Sequence, residues 1–226
     1  MIIVKGLNKQ YGRIPALKNI DLVFLDGAVY GIVGENGAGK TTLFRCLAGL
    51  ETCTGEIVSD LTPLKNHLGL LLTEPFFFSK ITGREYLQLS CNARGIKNHT
   101  IEERNIFDLP LNQYASTYST GMKKKLALTA ILLQENQYFI LDEPFNGVDI
   151  QSNIIITQII LKLKELKKTV LISSHIFSTL KETCDQIFVL KEGALVKSVS
   201  KEQFDLLETE MKDVSVGNKI DRLGLK

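Results

Sequence analysis

At 226 residues and 44% hydrophobic content, the chain is long enough for one large domain with a core of its own and needs no staples to hold it together. Its 27 Lys and Arg against 25 Asp and Glu leave a formal net charge of +2, too small a basic field to announce a DNA or RNA partner, so no nucleic acid is expected. No apolar run approaches the about 18 residues of a membrane-spanning helix, and the opening MIIVKGLNKQYG lacks the layout of a signal peptide, so the chain is expected in the cytosol unless a partner holds it at a membrane.

In chain order, MIIVKGL (1–7) and IDLVF (20–24) are strand-like runs that follow each other closely, with Gly12, Pro15 and Asp26-Gly27 as turn residues, and they predict an antiparallel patch. AVYGIV (28–33), GEIV (55–58), LGLLL (68–72), YFIL (138–141), TVLISS (169–174), IFVL (187–190) and ALVKSVS (194–200) then alternate with helical patterns, which points to a parallel sheet wrapped by helices. Residues 75–117 contain no convincing strand. There TGREYLQLSCNA has helical spacing, with a cap at Thr82 and Glu85 three residues later, so this stretch is read as a small helical insertion. KEQFDLLETEM, from Lys201, reads as helix followed by an exposed tail. The domain reading is therefore residues 1–205 as one unit, with 206–226 as a C-terminal helix and tail. Cys46, Cys53, Cys91 and Cys184 form no CxxC pair, and reduced, mostly buried thiols are expected.

GENGAGKTT (34–42) follows the strand AVYGIV and opens the helical run TTLFRCLAGL, so it matches GxxxxGK[ST] in the strand, loop and helix setting that gives this pattern meaning. Gly34, Gly37 and Gly39 let the backbone curl so that successive N–H groups face phosphate oxygens, with Asn36 and Ala38 completing the loop and Thr42 following it into the helix. Lys40 supplies a point charge to the β- and γ-phosphates, and the Thr41 hydroxyl is placed to ligate Mg²⁺. A nucleoside triphosphate is the expected ligand.

YFILDEPFNGVD (138–149) ends an apolar strand in two adjacent carboxylates, at the carboxyl end where ligands of parallel sheets collect. Asp142 is expected to hold Mg²⁺ through water. Glu143 points elsewhere and is free to polarise an attacking water, as a hydrolase requires and a kinase or switch GTPase does not.

YSTGMKKKLALTAILL (118–133) resembles the LSGGQ signature of ATP-binding cassette (ABC) ATPases and stands roughly 20 residues ahead of the acidic pair. The resemblance covers roughly residues 1–200. It implies a P-loop NTPase of RecA-like α/β fold: a mixed sheet core, an N-terminal antiparallel β subdomain and a small helical subdomain. It also implies ATP as the nucleotide, stacked on Tyr11; a D-loop Asp149; His175 as the switch histidine at the γ-phosphate; and Glu143 as the catalytic glutamate. Two cassettes of this family face head to tail, so Ser119 and Gly121 of one chain are implied to complete the nucleotide on Lys40 of the other. Thr120 and Met122 depart from the signature. At LGLLLTEP, Thr73 stands where the family has a Mg²⁺-reaching glutamine, with Glu74 beside it as an alternative.

By the same resemblance the chain is an ATPase subunit of a membrane transporter, peripheral on the cytoplasmic face of a bacterial cell membrane. It pairs as a homodimer, or as a heterodimer with a second cassette, beneath a separate transmembrane permease. Its signature is similar to those of export cassettes. A soluble ABC ATPase of translation or DNA maintenance is the alternative, and a P-loop switch or kinase the third reading. PFFF (76–78 being the aromatics) lies where a permease would meet the cassette and is read equally as a docking patch, with Phe77 or a neighbour as its anchor, or as packing. Lys123, Lys124 and Lys125 are expected on a solvated helix face. His67 and His99 have no partners at ligand spacing and are given no role. NKID (218–221) imitates the guanine-specificity motif of GTPases, but no DxxG switch motif follows YFIL to accompany it, and the match is read as coincidence.

Overall fold

The structure, a computed structural model, describes residues 1–96 and 100–216. Two strands joined at Gly12, β1 (Ile2–Tyr11) and β2 (Ile14–Phe24), pair antiparallel; β4 (Thr54–Ser59) adds to the other edge of β1, giving the order β2-β1-β4. The second sheet runs β5 (Leu68–Leu71), β6 (Tyr138–Asp142), β7 (Thr169–Ser173), β3 (Val29–Val33), β8 (Gln186–Lys191), β9 (Ala194–Ser200). Its first five strands are parallel and β9 returns antiparallel to β8.

Each expected strand is present, but two differ in their pairing from the parallel reading. GEIV forms β4 in the antiparallel sheet, because its exposed Gly55 and Glu56 suit a half-solvated strand and not one buried on both faces. β9 is tied to β8 by Glu192 and Gly193 alone, both at positive φ (48° and 80°). Two residues in that conformation make a hairpin turn and cannot make the crossover that a parallel neighbour needs.

Burial on both faces gives β3, β6 and β7 uninterrupted apolar runs, and their alternate residues enter two different cores. Tyr30, Ile32, Tyr138, Ile140 and Leu171 pack with Leu43, Phe44 and Leu47 of α1 (Lys40–Leu47) and with Ile2, Leu7 and Phe24 of the antiparallel sheet. Val29, Phe139, Leu141, Val170 and Ile172 face the opposite way, onto α3 (Thr120–Leu133) and α4 (Ile150–Glu165) through Leu126, Leu128, Ile156 and Ile160. α1 is thus enclosed between two sheets, which fixes its N-terminus over the strand ends.

Between β5 and α3 lies α2 (Gly83–Asn92), started by a reciprocal capping box: the Thr82 hydroxyl accepts from Glu85 N–H, and Glu85 accepts from Thr82 N–H. α5 (Phe177–Thr183) follows β7. After β9 comes α6 (Phe204–Val216), whose Phe204 and Leu207 join the core. NKID and His99 lie outside the described residues. Because β6 and β7 pair in register from Tyr138↔Thr169 to Asp142↔Ser173, the loops after β3, β6 and β7 leave the sheet at one edge.

Candidate nucleotide site

At that edge an open cleft of about 490 Å³ is lined by the loop after β3, by Thr73, Asp142, Glu143 and Asn146, and by His175, with Tyr11 at its rim. The loop owes its path to glycine. A Cβ at Gly34 would lie 2.3 Å from the Leu190 carbonyl oxygen, and one at Gly39 (φ 106°) would lie 2.7 Å from that of Ala16. Gly37, at φ 83°, has open space around it. Lys40 opens α1, nearly buried, and its Nζ donates to the carbonyls of Gly34 at 2.7 Å and Glu35 at 3.2 Å. Burial lowers its pKa, while Glu143 and Asp142 act in the other direction.

Asp142 ends β6 with no exposed surface. Its Oδ2 accepts from Thr41 Oγ1 at 2.7 Å and from Thr73 Oγ1 at 2.8 Å, and its Oδ1 accepts from Ser173 Oγ at 2.7 Å. Thr73, and not Glu74, therefore faces the cleft. Two hydroxyls and one carboxylate are the hard oxygen donors that Mg²⁺ prefers. Among the described residues no group of three or more His, Cys, Asp and Glu could hold a metal ion.

Glu143 departs from the strand at φ 51°, a left-handed conformation that costs a β-carbon residue roughly 1–3 kcal/mol. Its N–H donates to Ser173 Oγ at 2.9 Å, and its Oε2 accepts from His175 N–H at 3.3 Å. Oε1 is buried and lies 3.1 Å from His175 Nε2, yet it accepts no aligned hydrogen bond. An orphaned carboxylate oxygen at the wall of a polar cleft is a ready acceptor for a water proton.

Tyr11 is 43% exposed, with Lys9 Nζ 4.9 Å from its ring centroid and Lys9 paired to Glu51 at 2.9 Å. The ring is held from behind and left open to the cleft.

Ser119, Gly121 and Asp149 do not line this cleft. Ser119 caps α3, its hydroxyl accepting from Met122 N–H at 3.2 Å. Asp149 caps α4 by accepting from Ser152 N–H at 2.8 Å, and that bond, with Ser152 Oγ and Lys125, holds its carboxyl below the usual carboxylate range. Gly121 is pressed against the following loop: a Cβ there would lie 2.6 Å from Gly147 O.

One sequence expectation is corrected at this site, and one left open between two readings is divided among its residues. Lys123–Lys125 do not form a solvated face, since Lys124 is 1% exposed and Lys125 14%. Consecutive helical residues are about 100° apart, so three in a row cannot share one face of a helix that packs on several sides. In PFFF, Phe77 is turned inward onto Tyr86, ring centroids 4.6 Å apart, while Phe76 and Phe78 stand outward, 73% and 58% exposed, edge to face with each other. Asn146, at the cleft wall, was missed in the sequence because only the turn after Glu143 brings it back to the cleft.

A family model described as ABC transporter matches residues 17–146. The chain belongs to the ABC transporter family. The bacitracin transport ATP-binding protein BcrA of Enterococcus faecalis is 33% identical over 213 residues, covering 88% of this chain and 69% of that protein. Among solved structures, cbiO1 from Clostridium perfringens, part of the ABC transporter complex cbiONQ, matches with TM-score 0.72 and 26% identity over 99% of this chain and 96% of its own. The ATP-binding cassette MJ0796, a dimer in a post-hydrolysis state with ADP and Pi, shares the fold with TM-score 0.80 at 23% identity over 89% and 99% of the two chains. As a cassette of this family the chain is an ATPase.

Replacing Thr73 by Val removes one oxygen from the Asp142 cluster while keeping the side-chain shape. The Mg²⁺ concentration for half-maximal ATPase activity is expected to rise by about tenfold, in line with losing a metal-orienting partner. An unchanged Mg²⁺ titration would show that Thr73 takes no part in binding Mg²⁺.

Proposed function

We propose that this chain is the ATP-hydrolysing subunit of a transporter whose membrane-spanning permease is a separate polypeptide, and that it works as a head-to-tail pair of cassettes, driving export. The observation that carries this reading is the division of the site. The phosphate loop, Asp142, Glu143 and His175 share one cleft, whereas Ser119 and Gly121 stand outside it at the first turn of α3. A helix N-terminus favours anions, so this turn is suited to the γ-phosphate of a nucleotide held by a second copy or a related cassette.

In this reading Tyr11 stacks on the adenine, and the N–H groups of Gly37, Ala38, Gly39, Lys40, Thr41 and Thr42 cradle the phosphates together with Gly34 and Asn36. Lys40 exchanges its carbonyl partners for the β- and γ-oxygens. Thr41, Thr73 and Asp142 would hold Mg²⁺, which when bound neutralises phosphate charge. Glu143 Oε1 takes the proton of a water whose oxygen bonds to the γ-phosphorus as the bond to the β–γ bridging oxygen breaks, releasing ADP and phosphate. His175 Nε2, already 3.1 Å from Glu143, orients the γ-phosphate end. Asp149 caps α4 close to the facing chain.

ATP shared across two such half-sites closes the pair and hydrolysis reopens it, which is the mechanical step a permease uses. Phe76 and Phe78, both exposed, offer an apolar patch for that partner. Among the described residues no helix is long and apolar enough to cross a membrane, so attachment to the cytoplasmic face would come from the permease. The outward direction is supported by the likeness of YSTGMKKKL to cassettes that handle drugs, peptides or lipids.

Glu143→Gln is expected to keep ATP affinity, to lose at least about 10²-fold in hydrolysis, and to elute as a dimer in ATP on size-exclusion chromatography. Hydrolysis at the normal rate would take the base assignment away from Glu143. For the patch, Phe76→Ala with Phe78→Ala should abolish recovery of a polytopic membrane protein in pull-downs from native detergent-solubilised membranes. The isolated chain's ATPase should meanwhile stay within about twofold, as expected for exposed residues away from the chemistry. Intact recovery of that membrane protein would move the docking surface elsewhere.

A further inference from the structure

Lys124 is 1% exposed, and among the described residues no carboxylate pairs with it. A buried ammonium without an anion is unfavourable, and an apolar side chain of similar length would fill the space at lower cost. What the ammonium does instead is donate to two backbone carbonyls, Glu143 O at 2.6 Å and Asn146 O at 3.0 Å. Burial lowers its pKa, with the fields of Glu143, Asp142 and Glu74 opposing that shift and favouring the charged form.

The carbonyl it grips belongs to the residue at φ 51°, where the chain must be held against its own preference. Neighbouring contacts extend the grip along the loop. Gly121 is packed against Gly147 O, and Lys125 Nζ reaches Asp149 Oδ2 and Ser152 Oγ, both at 3.2 Å. The first turns of α3 thus hold the whole segment from Glu143 to Ser152.

We propose that Lys124 is a positioning residue for hydrolysis: it fixes the Glu143 backbone so that its carboxylate faces the cleft, and it links that backbone rigidly to the Ser119–Gly121 turn of the same helix. The inference rests on Glu143 being the water-activating base. A chain whose Ser119 turn is engaged by a second cassette's nucleotide would, through Lys124, have its own Glu143 set in place, so the two half-sites are mechanically joined.

The test uses the full chain with Lys124→Met, which keeps length and removes every donor, and Lys124→Gln, which keeps an N–H donor. Folding is checked by circular dichroism, and ATP affinity by a fluorescent ATP analogue. A kcat order of wild type, then Gln, then Met is expected, the Met variant falling by about 10- to 100-fold as for a misplaced catalytic group. KM and analogue affinity should stay within about twofold, since the phosphate loop is untouched. In a Glu143→Gln background, Lys124→Met should add no further loss, because it acts through Glu143.

A kcat within twofold for the Met variant, affinity falling in step with kcat, or an additive loss on top of Glu143→Gln would each overturn the inference. If Lys124→Met fails to fold, Lys124→Gln decides alone: reduced kcat at unchanged affinity supports the role, and unchanged kcat or a parallel loss of affinity removes it. Normal hydrolysis by Glu143→Gln would instead sink the reading beneath it, which is a separate and recognisable result.

Discussion

Asp142 is an ionisable side chain with no exposed surface, and such a group is tolerated only where its oxygens are hydrogen-bonded. Three hydroxyls meet that demand, and each comes from a different part of the chain: Thr41 in the first turn of α1, Thr73 just past β5, and Ser173 at the end of β7. Satisfying this one carboxylate therefore requires β5, β6 and β7 to be neighbours in parallel register and α1 to start directly above them. The fold and the site share that constraint. Its geometry also leaves the next residue, Glu143, no ordinary strand conformation to continue in, which turns its side chain towards His175.

The two cores distribute tasks around this point. One encloses α1 between the sheets and so gives the phosphate loop a rigid floor; it also brings Tyr11, at the end of β1, to the rim of the cleft. The other packs α3 and α4 beneath the loop that follows β6. In the proposed function the cleft supplies donors to the phosphates from one side, and the second side comes from another cassette. At the tip of α3, Ser119 is exposed while Gly121 packs against the loop at Gly147.

How much was legible in the sequence follows from how local each signal is. GENGAGKTT and the acidic pair after YFIL could be read directly, because the spacing of Gly, Lys and Thr along one loop, and of two acids at one strand end, is itself the geometry. The capping box at Thr82 and Glu85 was legible for the same reason. Pairing partners were less so: GEIV looks like the other short apolar runs, and only the exposure of Gly55 and Glu56 in the folded chain assigns it to the antiparallel sheet. The lysine run was misread because charge alone signals solvent. Lys124 is buried on account of two carbonyls about 20 residues away in the chain, a contact that no local pattern encodes. Phe77 and its neighbours could not be told apart for a similar reason, since the packing of Phe77 depends on Tyr86 in a different element.

The central claim is that each nucleotide is held by the phosphate loop of one chain and the Ser119 turn of another, and it can be tested by complementation. Lys40→Ala and Ser119→Arg are purified separately, shown to be inactive, and mixed in ATP. Mixed pairs contain one complete composite site, with intact Lys40 from the second variant and intact Ser119 from the first. Recovery of ATPase activity on mixing is the predicted result. Two inactive proteins that form mixed dimers and stay inactive would contradict it.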